Sequence, residues 1–77
     1  MGSRIGSIKL AVFREFLEAQ GCKHIRDKGG HEIWSRKDLS RPITIQHHFK
    51  EIPEAVVRSN LRTLGVEFQD FVNWLNK

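Results

Sequence analysis

The sequence predicts an α+β domain in which three antiparallel strands lie between helices. Two patterns carry this reading: apolar residues at helical spacing toward both ends, and period-two alternation between residues 22 and 46, punctuated by a Gly-Gly and a polar turn. Composition agrees, with 39% hydrophobic and 29% charged residues in a chain of 77, the balance of a globular protein. A chain this short hides only about 60% of the surface it exposes when unfolded, so it builds one modest core and excludes the large cofactor folds.

Residues 1–6 contain two glycines and no apolar period, which predicts a flexible N-terminus ahead of a single domain over 7–77. Ser7 is read as an N-cap, and Ile8, Ala11, Val12, Phe16 and Leu17 then fall on one face of a helix over 8–20 that Gly21 stops. The stripe Ile8/Val12/Phe16 is expected in the core. Residues 22–27 alternate, Lys28-Gly29-Gly30 is a hairpin turn, and 31–36 alternate again. Lys37-Asp38-Leu39-Ser40 forms a second turn, after which Ile43 and Ile45 alternate with Thr44 and Gln46 in a third strand that Pro42 can only begin. Pro53 opens a second helix with Val57, Leu61 and Leu64 on its apolar face, ended by Gly65. Phe68, Phe71, Val72 and Leu75 give a short third helix over 67–76. The order helix, three strands, helix is the plan of double-stranded-RNA-binding domains, here with an extra C-terminal helix; topology alone assigns no function. The sheet is expected to bury one face against the two longer helices and to leave the other polar.

Function classes narrow with charge and cysteine usage. The net charge is +4, and the excess sits in residues 21–50, which hold seven Lys and Arg against three acidic residues, together with all four histidines. Such a field attracts polyanions, of which phosphate backbones are the commonest soluble ones, although scattered lysines also serve solubility. The single cysteine, Cys22, cannot close an internal disulfide and is expected as a small buried hydrophobe in a reducing cytoplasm. No apolar run reaches the roughly 18 residues of a membrane span. The histidines lack paired ligand spacing, so neither a metal nor another cofactor is expected.

The sharpest local feature is Arg26-Asp27-Lys28-Gly29-Gly30-His31. Glycines let a phosphate approach the backbone, and an imidazole moves protons near neutral pH. Cleavage of RNA by its own 2′-hydroxyl needs a base for that hydroxyl, an acid for the leaving oxygen, and positive charge for the developing phosphorane. His31, Lys28 and Arg26 have the chemistry for these parts. The same residues also read as hairpin punctuation followed by a surface histidine. Adjacent strand residues face opposite ways, so His47 and His48 do not both serve one site while the strand continues. Arg58 and Arg62 share a helical face and suit either phosphates or solvent. Trp34 suits packing better than stacking on a base.

The ordered motifs resemble the HicA (YcfA-like) family of toxins. The matching pieces are Leu17-Glu18-Ala19-Gln20-Gly21-Cys22, Arg26-Asp27-Lys28-Gly29-Gly30-His31, the aromatic Trp34, Ile45-Gln46-His47-His48, Lys50-Glu51-Ile52-Pro53, and Val57-Arg58-Ser59-Asn60-Leu61-Arg62, with Gly65 and Phe71 beyond. The resemblance implies a metal-independent, ribosome-independent endoribonuclease that cleaves mRNA and is neutralised by a cognate HicB-like antitoxin. It implies His31 as the catalytic histidine, with His48 and Lys28 in support. Arg26, Lys28, Gly29, Gly30, Lys50, Arg58 and Arg62 are the expected RNA-binding residues. Gln46, Ala55-Val56 and Asn60 depart from the family pattern; Asn60 replaces an apolar residue and therefore calls for exposure or a hydrogen-bond partner. A noncatalytic RNA-binding module and an antitoxin-docking protein are the alternative functions.

Overall fold

The computed structural model describes residues 6–48 and 50–77. Its elements run β1 (Ser7–Lys9), α1 (Leu10–Ala19), β2 (Lys23–Lys28), β3 (His31–Ser35), β4 (Ile43–Gln46), β5 (Glu51–Pro53), α2 (Glu54–Leu64) and α3 (Phe68–Leu75). Strands β2, β3 and β4 form an antiparallel sheet in that order, and β1 pairs antiparallel with β5 in a separate two-stranded one. The layout is the expected α+β one, a helix, a three-stranded meander and a second helix in the manner of a double-stranded-RNA-binding domain, with α3 appended.

The start of the chain departs from expectation. Ser7 does not cap a helix. It begins β1 opposite Pro53, its hydroxyl donates to the Glu51 carboxylate, and α1 starts only at Leu10 with Lys9 at the cap. Ile8 lies opposite Ile52 and both are buried. The ladder extends at both ends, from Leu10 N–H to the Lys50 carbonyl and from Glu54 N–H to that of Gly6. Three residues are too few to display a period of two, and Ile8 also fits the helical stripe, so only the distant partner reveals the strand. The buried α1 stripe is consequently Leu10, Phe13, Phe16 and Leu17, while Val12 is only half-buried. Of the flexible N-terminus expected over 1–6, all but Gly6 lies outside the described residues.

The sheet sorts its side chains by parity. Register pairs Glu32 with Ile45 and Trp34 with Ile43 on one face; Trp34, Ile43 and Ile45 join a single core with Val57, Leu61 and Leu64 of α2 and the α1 stripe. Cys22 is buried there too. The third helix docks through aromatics: the Phe16 ring meets Phe71 at 4.7 Å and Trp74 at 5.1 Å, both edge to face, the arrangement ring quadrupoles favour. Glu32 lies on the inner face yet is only 5% exposed. Arg14 grips its carboxylate through Nε at 3.0 Å and through a second nitrogen, and the Trp34 indole donates to the same carboxylate at 3.0 Å. Those donors favour the charged form over the opposing effect of burial and hold the carboxyl below its ordinary value.

Candidate functional site

On the opposite face the same register gathers a different set. His31 lies opposite both Lys28 of β2 and Gln46 of β4, and Ile33 lies opposite Arg26 and Thr44. Directly opposed residues point to one side of a sheet, so Arg26, Lys28, His31, Thr44 and Gln46 share the face turned from the core. Strand β2 is exposed along its whole length, and the register slips between His24 and Arg26. A bulge there leaves Ile25 outside the ladder, 57% exposed. The pairing from the hairpin turn back to Arg26 is unbroken and sets Arg26 and Lys28 on His31's face, while the slip beyond it turns His24 to lie opposite Trp34.

His31 is half-buried at a groove of about 430 Å³ whose other walls are Thr44, Gln46, Glu51, Ile52, Pro53 and Val56. One side is polar and the other, at the β5–α2 junction, is apolar. A ribose or base has room there beside the imidazole, and Lys28 supplies positive charge from the neighbouring strand.

The turn before His31 is set by its backbone. Gly29 and Gly30 both have positive φ, 53° and 83°, the requirement of the tight hairpin turns that match strand twist. A Cβ on Gly30 would collide with the His48 imidazole, so the glycine makes room for that ring. His47 N–H donates to the Gly30 carbonyl at 3.1 Å, which carries the β3–β4 ladder one step past Gln46. Alternation then turns His47 away from His31's face, toward Asp27, whose carboxylate lies 4.0 Å from His47 Nδ1 and 2.8 Å from His24 Nε2. His48, past the ladder, returns to the glycine turn.

Not all the residues singled out by sequence converge. Lys50 lies apart, beside Lys9, Arg14 and His47. Arg58 donates to Glu54 at 2.8 Å and stacks 3.8 Å over the Phe68 ring, a pair of contacts that fastens α2 to α3. Arg62, in the last turn of α2, is exposed and well placed for the negative helix end. Sequence reasoning overlooked Glu51, Thr44 and Val56 as neighbours of His31. Glu51 stood inside a quoted motif, but only the β1–β5 pairing brings it to the groove. Among the described residues no cluster of three or more His, Cys, Asp or Glu is arranged to hold a metal ion, and no helix is long and apolar enough to cross a membrane.

Searches of curated proteins and of solved structures return no match. A scan of protein families does: residues 13–66 match the HicA toxin of bacterial toxin-antitoxin systems. That span runs from the first core phenylalanine through the glycine turn, His31 and all of α2, which is well over half of the chain, and the chain therefore belongs to the HicA toxin family.

Proposed function

We propose that this toxin is a metal-independent endoribonuclease that cleaves mRNA without the ribosome, with His31 moving the protons. The observation that carries the reading is His31 itself, half-buried at the mouth of a groove, opposite Lys28 and beside a diglycine turn. In this reaction the ribose 2′-oxygen loses its proton to the imidazole and attacks the adjacent phosphorus. The 5′-oxygen of the next nucleotide leaves with a proton, and the products end in a 2′,3′-cyclic phosphate and a 5′-hydroxyl. Lys28 and Arg26 neutralise the charge that grows on the phosphorane. His48, against Gly30, supports the turn and supplies the second proton-transfer group that such catalysis ordinarily employs.

Family membership brings an antitoxin partner. A HicB-like antitoxin covers the same groove in this proposal, using the exposed Val56 beside Pro53 and the cations around His31. The cytoplasm, where mRNA resides, is the corresponding place of action. The test is incubation of a defined RNA with wild type and His31→Ala in the presence of chelator, reading cut positions and end groups. Cyclic-phosphate ends from wild type and a loss of at least roughly 100-fold in the variant are expected. Equal cutting by the two proteins removes His31 from the mechanism.

A further inference from the structure

A second groove, of about 510 Å³, opens on the other side of the sheet end. Its walls come from three separate segments: Lys9 at the end of β1, Ala11 and Arg14 on α1, and His47, Lys50 and Glu51 of the β4–β5 link and the start of β5. Three permanent cations, Lys9, Arg14 and Lys50, line it with one carboxylate, Glu51, which already accepts the Ser7 hydroxyl, and a second carboxylate, Glu32, pairs with Arg14 from the core side. Arg14 is held in place by the buried Glu32 while its side chain remains 42% exposed. A cation fixed by an internal carboxylate loses less conformational freedom on meeting a ligand than a swinging surface lysine. Glu51 lines both this groove and the one that holds His31. The two are thus neighbours across the sheet end.

We propose that this groove binds the phosphodiester backbone of the RNA strand to one side of the cut, the strand passing from His31 by way of Glu51, which lines both grooves, to Lys9, Arg14 and Lys50. The inference rests on the ribonuclease reading and adds to it a polarity. Nucleotides on one side of the scissile phosphate contribute affinity through this groove, and those on the other do not. An acidic segment of the antitoxin is the competing occupant. Continuity with the His31 groove favours the nucleic acid, because one strand reaches both.

The experiment measures binding of wild type, Lys9→Ala and Lys50→Ala to a 2′-O-methyl RNA, which lacks the hydroxyl needed for cleavage, across a salt series. Both lysines are exposed, and thermal melts verify that the variants fold. Each substitution is expected to weaken binding about fivefold at low salt and to lower the slope of log affinity against log salt by about 0.7. Shortening the RNA stepwise from one end should erase the difference between wild type and Lys9→Ala, whereas shortening it from the other should not. Unchanged slopes in both variants, with wild type still binding, overturn the groove and leave the ribonuclease reading standing. Loss of antitoxin binding with RNA slopes unaltered overturns it in favour of the protein occupant. A wild type with no affinity for RNA removes the ribonuclease reading itself.

Discussion

The two faces of the three-stranded sheet are built from alternating residues of the same strands, yet they obey different rules. Inside, Glu32, Trp34, Ile43 and Ile45 are at most 5% exposed and every polar group of Glu32 and Trp34 is matched. Outside, His31, Ile33, Thr44 and Gln46 border open space, and Arg26 and Lys28 stand in solvent. The histidine proposed for chemistry and the carboxylate that belongs to the core are consecutive residues of β3. Stability is therefore concentrated on one parity of the strand, and the other parity is left free for a ligand.

Trp34→Ala and His31→Ala, two substitutions on one strand, break this comparison most sharply. Trp34→Ala empties a large site in the core and also removes a donor to Glu32, at an expected cost of about 3–5 kcal/mol in urea unfolding. His31→Ala should leave unfolding within about 0.5 kcal/mol of wild type while cleavage collapses. A His31→Ala protein that unfolds as readily as Trp34→Ala would show that both faces are structural.

The ion pair ranks next. Arg14→Ala strands the Glu32 carboxylate and should cost about 2 kcal/mol, less than the 3–5 typical of a fully buried pair because Arg14 keeps one side in water. The pair also sets a pH dependence. The Glu32 carboxyl is lowered in the folded state, chiefly by the Arg14 hydrogen bond. Its contribution is therefore complete above the ordinary carboxylate range and drains away as pH falls through the lowered folded value. Urea midpoints measured from pH 7 downward should decline through that window, and Glu32→Gln should flatten the decline. An acid arm unchanged in Glu32→Gln would assign it to other carboxylates.

Much of this was legible in the strand pattern. Period two identified three strands within a residue or two, and the Gly-Gly turn pointed to His31. What alternation could not rank was which polar residue of β3 goes inward. Glu32 and Trp34 share a parity, and the indole's demand for the core carries the glutamate with it; Arg14, 18 residues earlier, makes this tolerable. Asn60 is the counter-example. Its sequence position called for exposure or a partner, and the residue is 8% exposed with Nδ2 unpaired. Asn60→Leu should accordingly raise stability by about 1 kcal/mol, read as a higher melting temperature.

The smallest effects belong to the turn that joins the two faces. Gly30→Ala meets both a positive φ and the His48 ring and should cost about 1 kcal/mol, read by urea unfolding. Gly29 has open space around its missing Cβ, and Asn tolerates its backbone region, so Gly29→Asn should lie within about 0.5 kcal/mol of wild type. Equal costs at the two positions would mean that His48 does not depend on Gly30.

Local periodicity was enough to specify the meander, α2 and α3, because strand and helix patterns are written in neighbouring residues and hydrophobic burial enforces them. The β1–β5 pairing joins residues 44 apart, and it alone brings Glu51 to His31 and Lys9 to Lys50. No local pattern encodes such a meeting. It arises when the chain closes around one core and the unpaired backbone groups at its ends must find each other.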